Sequence, residues 1–310
     1  MGIQKISYSN HDEWLSIRNK YIGGSDAGAV VGLDDYKSPY SLWAEKTGKI
    51  PSFSGNITTS VGAYLEEFVA KMFSEQTGKK VRKCNFTLIN DMYPFACANV
   101  DRIISGEDAI LEIKTTNSIP VMRKCKNGEY PERWYCQMTH YLAVTGAHKA
   151  YLAVLIKCEE FKIFELERDD EEINALMSAE AEFWKHVEND TPPNIDGSEA
   201  TSDTLATLFP VATDGEPINL SDKQNAIENY MALKKQQKEI QYAIDNCANI
   251  IKQQLGESEK GITEKYNVTW ANSARKTFDT SRFAKDYSNL DLSRYYKTTN
   301  YRTFTIKERE

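Results

Sequence analysis

The chain has 310 residues, of which 41% are hydrophobic and 27% are charged, and its formal net charge at pH 7 is −7. This composition predicts one large globular domain or two smaller ones, and it excludes the disordered and fibrous classes of protein. No apolar run approaches the roughly 18 residues of a membrane span, no export signal opens the chain, and the six cysteines lack zinc-binding spacing, so we expect a cytoplasmic protein with reduced thiols.

The first 190 residues contain successive helical and strand patterns. Short helices are predicted after Asn10, Ser25 and Ser38, because these residue types cap helix N-termini. A longer helical pattern follows, then the apolar period changes to two, and later segments alternate between helix and strand. The longer helices are predicted over 61–78, 132–145 and 170–188, and the strands over 83–90, 96–104, 109–115, 151–156 and 161–166.

The last third of the chain has a different composition. Residues 192–220 are rich in Pro, Gly, Ser, Thr and Asp and predict a linker or an extended surface loop. A long amphipathic helix follows from Ser221, and its apolar stripe must pack on the core, on a neighbouring subunit or on a partner. A small β-rich region completes the chain, with strands predicted over 266–270 and 302–306 around a short helix capped by Asp279.

The predicted organisation is a core over residues 1–191, the linker or loop over 192–220, and a C-terminal region over 221–310 for partner docking, DNA contact or structural support. Charge is distributed unevenly along the chain. Residues 159–216 hold 17 acidic and 3 basic residues, whereas residues 260–310 hold 11 basic and 6 acidic ones. The basic parts could bind a nucleic acid while the acidic part faces away, or the acidic part could simply be a solvated helix.

Charged side chains interrupt two apolar strands that the turn at 105–108 joins into a predicted hairpin. Asp101 lies on the first strand, Glu112 lies on the second, and Lys114 follows two residues later. Since residues two apart in a strand share a face, Glu112 and Lys114 point the same way, and their apolar neighbours point to the opposite face. The hairpin can therefore bring Asp101 beside Glu112.

Two carboxylates in an apolar strand pair are costly to desolvate unless a cation coordinates them or pairs with them. Carboxylate oxygens and waters suit Mg²⁺ or Mn²⁺, and a lysine beside such an ion can hold or deprotonate an attacking water. The pattern Asp…Glu-x-Lys thus suits phosphodiester hydrolysis. By spacing alone, a set of surface ion pairs on an edge strand is an equally open interpretation.

Several sequence blocks, met in order over about residues 12–165, carry a wider resemblance. The blocks are WLSIR with YIGGSD, SPYSLWAEKTG, VGAYLE, CANVD, LEIK and YCQMTHYLAVTG. Together they resemble the YqaJ-like viral recombinase family, which is related to phage lambda exonuclease within the PD-(D/E)XK nuclease superfamily. One residue departs from the superfamily pattern, because Val100 precedes Asp101 where the superfamily name has proline.

The resemblance implies an α/β (α+β) fold with a PD-(D/E)XK, restriction-endonuclease-like core. In this fold a central mixed sheet is flanked by helices, and this chain adds the long C-terminal helix and the small β-rich tail. The resemblance also implies that Asp101 and Glu112 bind the metal together with the backbone carbonyl of Ile113. Lys114 would position the nucleophilic water.

Four further residues receive roles from the same resemblance. Glu66, rather than the glutamate that follows it, would reach the metal site through water or a second metal, and Gln137 would orient water or the lysine. Arg18 and Ser25 would hold a terminal 5′ phosphate of DNA, for which a guanidinium and a hydroxyl at a helix start are suited. Gln137 and Ser25 also have simpler interpretations, as a local hydrogen-bond partner and as a helix cap.

The resemblance finally implies a metal-dependent 5′–3′ double-stranded DNA exonuclease of a phage or prophage recombination system. Such an enzyme leaves a 3′ single-stranded overhang for an annealing protein. We expect Mg²⁺ as cofactor, with Mn²⁺ able to substitute, a homo-oligomer such as a ring-shaped trimer, a bacterial cytoplasm, and neither a membrane nor a nucleotide cofactor. The alternatives are a structure- or sequence-specific DNA endonuclease on the same fold and a catalytically inactive DNA- or partner-binding module.

Overall fold

The computed structural model describes residues 2–52 and 55–309, which divide between Phe209 and Pro210 into two compact units. The strands of the first unit are β1 (Ile3–Ser7), β2 (Ile22–Gly23), β3 (Val81–Lys83), β4 (Phe86–Asn90), β5 (Ala96–Cys97), β6 (Arg102–Ile104), β7 (Ala109–Thr116), β8 (Lys149–Ile156) and β9 (Glu160–Glu167). Its helices are α1 (His11–Arg18), α2 (Gly24–Val30), α3 (Pro39–Lys46), α4 (Ile57–Thr77), α5 (Ile119–Lys126), α6 (Glu132–Thr145), α7 (Asp170–Glu188) and α8 (Glu199–Leu208).

The main sheet of the first unit has the strand order β3-β6-β7-β8-β9. Its strands β7 and β8 are parallel, and the other neighbouring pairs are antiparallel. Beside it, β1 pairs with β4 antiparallel and β2 pairs with β5 parallel. The expected central mixed sheet flanked by helices is therefore confirmed.

The centre of the sheet is covered on both faces. On one face α6 packs Met138 near Leu152 of β8, and on the other face α4 packs Phe73 near Leu111 of β7. Residues 150–156 of β8 are all buried, as expected for a continuous apolar run between two helical layers. Alternate residues of β7 therefore face different helices, and Glu112 lies on the side of α6.

A third layer forms where α2 and α7 pack on α6. The contact between α2 and α6 is close because glycines of α2 face it. A Cβ atom at Gly24 would lie 2.4 Å from the ring of Tyr141, and one at Gly28 would lie 2.9 Å from Cβ of Arg133. This approach brings the start of α2, with Ser25, next to the helix that carries Gln137.

The end of the first unit differs from the predicted boundary at residue 191. Residues 199–208, expected within a linker, form α8, whose buried threonines contact α3. Thr201 Oγ1 donates to Ser38 Oγ at 2.7 Å, and Thr204 Oγ1 donates to Ser41 Oγ at 2.8 Å. The Ser- and Thr-rich composition that suggested a loop thus builds a polar helix contact, because short hydroxyl side chains can satisfy one another when buried.

The second unit begins after Phe209 and contains the predicted long helix. Its elements are α9 (Gln224–Leu255), β10 (Lys260–Ile262), β11 (Asn267–Thr269) and α10 (Thr280–Asp286). Strands β10 and β11 form an antiparallel hairpin, and Asp279 caps α10 as expected, accepting the Arg282 N–H at 2.8 Å. Residues 302–306 are not a strand, so the tail is less β-rich than predicted. An alternating pattern becomes a strand only where another strand pairs with it.

Across the ranges 2–52 and 55–309, no helix combines the length and the apolar character needed to cross a bilayer.

Candidate active site

The predicted carboxylates come together where β6 separates from β7. The two strands pair only as far as Arg102, and the preceding chain bends away, so the strand expected over 96–104 is split into β5 and β6. Asp101 occupies this bend, and its Oδ2 accepts a hydrogen bond from the Ile113 N–H at 2.7 Å. The Asp101 carboxylate thus replaces a strand partner and lines one hollow with Glu112.

This hollow, which we call the carboxylate hollow, has a volume of about 330 Å³. It lies between the first turns of α4 and the part of β7 that β6 leaves uncovered. Its lining is Thr58, Thr59, Gly62, Ala63, Glu66, Asp101, Glu112, Ile113, Lys114 and Thr115. Since the N–H and C=O of one residue in a strand point to the same neighbour, the Ile113 carbonyl faces the side of Asp101.

Glu112, Lys114 and Gln137 form a closed set of hydrogen bonds. Glu112 Oε1 accepts from Lys114 Nζ at 2.8 Å and from Gln137 Nε2 at 2.7 Å, and Gln137 Oε1 accepts from Lys114 Nζ at 2.8 Å. Tyr141 supports Gln137 from below, because its hydroxyl accepts from Gln137 Nε2 at 3.1 Å and donates to the Asn99 carbonyl at 3.0 Å. The lysine is therefore held at the hollow by two fixed acceptors.

The electrostatics of the hollow favour a cation. Within the described residues, the buried Oε2 of Glu112 has no hydrogen-bond partner. Burial, and after it the negative charges of Glu112 and Glu66, raise the pKa of Asp101 well above its usual range, although Lys114 and the Ile113 N–H oppose this. A positive ion between the two carboxylates would remove both the repulsion and the unsatisfied oxygen.

The donor set fits a hard divalent ion that keeps part of its water shell. Among the described residues, no group of three or more His, Cys, Asp and Glu side chains is arranged to hold a metal. Mg²⁺, however, commonly takes only one or two carboxylates and completes its octahedron with waters and substrate phosphate oxygens. Asp101, Glu112 and the carbonyl of Ile113 supply oxygens of this kind.

Glu66 lies at the rim of the carboxylate hollow, where it forms an ion pair with the guanidinium of Arg102. The same guanidinium contacts Glu67 Oε2 at 3.0 Å and donates to the Asp101 carbonyl at 2.7 Å. Glu66 is the less exposed of the two glutamates, and Glu67 does not line the hollow. Arg102 is buried and was missed from the sequence, although a cation directly after Asp101 in an apolar strand was a usable signal.

Arg18 and Ser25, to which the resemblance gives a joint role, are in contact in the structure. The Arg18 guanidinium donates to Ser25 Oγ and lies 5.3 Å from the ring centre of Trp14. These residues adjoin a second hollow of about 380 Å³, lined among others by Arg18 and Trp14. Thr59 and Ala63 of α4 line both hollows, so the arginine site and the carboxylate hollow are neighbours.

The charges behind Arg18 leave a positive excess at its site. Buried Asp26 pairs with Lys46 Nζ at 2.9 Å, and Lys37 Nζ pairs with Glu45 at 2.6 Å. Arg18 lies farther from Asp26, at 3.7 Å, so its charge is the one least neutralised by the group. An anion entering from solvent would meet this arginine and the Ser25 hydroxyl.

His140, on the same helix as Gln137, is packed and does not face the carboxylate hollow. Its Nδ1 lies 2.8 Å from Glu180 Oε1 and its Nε2 lies 2.9 Å from the Cys97 carbonyl. Both His140 and Glu180 are fully buried. The pair therefore joins α6, α7 and β5 and has a structural role.

A central mixed sheet flanked by helices, with two carboxylates and a lysine around one hollow beside β7, is the α/β arrangement that the sequence blocks implied. Comparison with known proteins agrees. The model of the YqaJ-like viral recombinase domain matches residues 13–148. The Uncharacterized protein YqaJ of Bacillus subtilis (strain 168) is 37% identical over 311 residues, covering 99% of this chain and 97% of the relative. The chain belongs to the YqaJ-like viral recombinase family.

Solved structures with this fold include an alkaline exonuclease, LHK-Exo, from Laribacter hongkongensis. It matches 64% of this chain and 100% of its own at 19% identity, with a TM-score of 0.52. A structure of LHK-Exo in complex with dAMP matches 58% of this chain and 94% of its own at 19% identity, with a TM-score of 0.51. At this identity the likeness concerns the fold.

Proposed function

We propose that this protein is a metal-dependent nuclease that degrades double-stranded DNA from its 5′ ends and leaves a 3′ overhang. The observation that carries the proposal is the convergence of Asp101, Glu112 and Lys114 on one hollow, beside a separate site formed by Arg18 and Ser25. Membership of a viral recombinase family and the fold shared with an alkaline exonuclease support it.

The first part of the proposal concerns the ion. Asp101, Glu112 and the Ile113 carbonyl would hold Mg²⁺, or Mn²⁺ in its place, with Glu66 reaching it through water once it leaves Arg102. Such an ion, when bound, neutralises charge on a phosphoryl oxygen and lowers the pKa of water. The raised pKa of Asp101 and the unpaired oxygen of Glu112 support a site that a bound cation would stabilise.

The second part concerns the lysine. Lys114 Nζ has three protons, and two of its hydrogen bonds go to Glu112 and Gln137. The remaining proton can be directed at a water that approaches the scissile phosphate. Gln137 keeps the ammonium group at a fixed position. A fixed charge stabilises the transition state more strongly in a site that excludes bulk water.

The third part concerns the choice of DNA ends. A terminal 5′ phosphate bound by Arg18 and Ser25 would leave the next phosphodiester at the neighbouring carboxylate hollow. Attack of water on that phosphorus breaks its bond to the 3′ oxygen and releases a nucleoside 5′-monophosphate. The shortened strand again ends in a 5′ phosphate, so the same site can bind it. This geometry favours an exonuclease over an endonuclease.

The partners we propose follow from the family. A 3′ overhang is the substrate of a single-strand annealing protein, and an enzyme that stays on one duplex through many steps is helped by a homo-oligomeric ring such as a trimer. The acidic residues of 159–216 would then face away from the duplex.

The proposal is tested by incubating the protein with linear duplexes, with and without 5′ phosphates, and with closed circular DNA, in Mg²⁺ and in chelator. We expect mononucleotide release from phosphorylated linear DNA only in the presence of the ion. Lys114→Ala should lower turnover by about 10²–10⁴-fold while DNA binding persists. Lys71→Ala, an exposed lysine on α4, is the matched control.

Equal cutting of closed circles would indicate an endonuclease. Binding of DNA without hydrolysis under any of these conditions would indicate an inactive binding module. Arg18→Ala should remove the preference for 5′-phosphorylated ends and leave slow cutting of unphosphorylated ends unchanged.

A further inference from the structure

The long helix α9 carries a row of side chains with the spacing of a coiled coil. From residue 230 to residue 254 the spacing alternates strictly between three and four, which is the a and d pattern of successive heptads. The row consists of Tyr230, Leu233, Gln237, Ile240, Ile244, Cys247, Ile251 and Gln254, and we call it the α9 seam. A period of 3.5 residues per turn, rather than 3.6, keeps the row facing a second helix along its whole length. Packing on a sheet would not require this period.

The middle of the seam is exposed to solvent, whereas Tyr230 at one end packs against the ring of Phe304, and Ile251 and Gln254 at the other end line a hollow with the β10–β11 hairpin. Leu233, Ile240, Ile244 and Ile251 are between 46 and 63% exposed, and Cys247 is an exposed free thiol. Single exposed apolar residues are common on proteins, but several of them along one face of a helix are typical of an interaction surface.

The charges of α9 are arranged so that they do not oppose pairing of the helix with itself. Six of its seven charged residues lie at heptad positions b, c and f, which point away from a partner: Glu228, Lys235, Lys238, Glu239, Asp245 and Lys252. The e and g positions that flank the seam are uncharged from residue 236 onward, and Lys234 is the one exception before it. Two copies of the helix would therefore meet without like-charge contacts.

We propose that α9 binds α9 of a second copy of this chain as a parallel, in-register coiled coil through the α9 seam. In this register each apolar residue of the seam packs against the same residue of the other copy. Gln237 also lies opposite Gln237, so the two amides can hydrogen-bond to each other. An antiparallel register that pairs Gln237 with Gln254 would set Leu233 opposite residue 258, beyond the end of the helix at Leu255. Tyr230 would likewise face residue 261, so the parallel register pairs two more layers of the seam, those of Tyr230 and Leu233, than this antiparallel one.

The proposal makes Cys247 a direct reporter of the pairing. In the parallel register the two Cys247 side chains face each other across the seam, where a disulfide needs a Cα separation of about 4.4–6.8 Å. The full-length chain with Cys158→Ser, which removes the other exposed thiol, is oxidised with a mild oxidant and analysed on a non-reducing gel. We expect a covalent dimer that Cys247→Ser abolishes.

A matched control separates pairing from random collision. Tyr242 lies on the outward face of α9 and is exposed, so Tyr242→Cys in a background with Cys158→Ser and Cys247→Ser provides an equally accessible thiol. At micromolar protein, Cys247 should cross-link at least about tenfold faster than this control, because pairing raises the effective concentration of the thiol. Equal rates would overturn the proposal.

Mass measurement gives a test that does not depend on a thiol. Ile244→Lys places a charge in the seam, and Tyr242→Lys places the same charge on the outward face; both side chains are exposed, so neither change disturbs a core. Light scattering should show a smaller assembly for Ile244→Lys and an unchanged one for Tyr242→Lys. If both variants keep the mass of the original chain, the seam does not join copies of this chain and the proposal is wrong, whatever assembly the first unit forms.

Discussion

Replacing Asp101 by asparagine should separate two effects of its charge: destabilisation of the folded protein without a cation, and stabilisation of the protein when a cation is bound. The asparagine Oδ1 can still accept the Ile113 N–H, which Asp101 accepts at 2.7 Å, so the shape and this hydrogen bond are kept while the charge is lost. Burial beside Glu112 and Glu66 raises the pKa of Asp101, which means that the site disfavours the charge in the absence of a cation. Without divalent metal, Asp101→Asn should therefore be more stable than the original protein.

With metal the order should reverse. An ion present at 100 times its dissociation constant stabilises the folded state by about 2.7 kcal/mol. For a unit of about 200 residues, a change of 1 kcal/mol moves the Tm by about 2–4 °C, so we expect an increase of about 5–11 °C for the original protein and none for Asp101→Asn. The variant should also lose the proposed hydrolysis, because the proposed ion would supply several kcal/mol of transition-state stabilisation.

The assay is thermal unfolding followed by tryptophan fluorescence during a titration with Mg²⁺, with chelator as the reference. Four of the five tryptophans lie in the first unit, so the signal reports mainly the unit that contains the carboxylate hollow. Glu182→Gln, which removes an exposed carboxylate on α7, should keep the full metal-dependent increase. The reasoning is refuted if the original protein gains no stability from the ion, or if Asp101→Asn gains as much as it does.

Three further changes test how the fold supports the site. Gly24→Ala places a Cβ atom 2.4 Å from the Tyr141 ring and should cost about 1–3 kcal/mol of unfolding free energy, measured with denaturant. Burial raises the pKa of Asp26, but the neighbouring cations, Lys46 above all, outweigh burial and hold this pKa well below its usual range. Asp26→Asn should cost about 3 kcal/mol at neutral pH, and this difference should shrink as the pH falls below about 4, where the unfolded carboxylate protonates. Burial lowers the pKa of His140, but Glu180 outweighs this effect and raises it. Glu180→Gln should therefore destabilise the protein most below a pH of about 6.5 and progressively less above it.

Each change has its own control. Gly197→Ala adds a Cβ atom with no neighbour within 4 Å and should leave the stability unchanged. For the two charge changes, the comparison is the same variant measured at several pH values. An Asp26→Asn deficit that grows in acid, or a Glu180→Gln deficit that grows in alkali, would contradict the assigned charge states.

The sequence predicted the central features of the fold because they depend on local patterns. The period-two alternation around Glu112 and Lys114 predicted which side chains share a face, and the structure has both on the side of α6. The short apolar run over 151–156 predicted a strand, and the structure buries it as part of β8. The stripe from Ser221 onward predicted the long helix, since a repeat of three and four residues is a property of the chain alone.

Other features depended on contacts between residues far apart in the chain. The Ser- and Thr-rich segment that became α8 is stabilised by hydroxyl groups more than 160 residues away. The bend at Asp101 forms because its carboxylate replaces a strand partner for Ile113. Neither interaction leaves a local pattern that distinguishes a loop from a helix or a bend from a strand.

What the sequence determined by itself is which residues carry charge at the edge of an apolar strand and which helices are amphipathic, because side-chain type and period suffice for both. What only the tertiary structure decided is how these charges are paired. Arg102 draws Glu66 to the rim, Tyr141 supports Gln137, and Oε2 of Glu112 is left unsatisfied. The reason is that an ion pair or a buried unpaired oxygen depends on distances of a few ångströms between elements, which only packing sets.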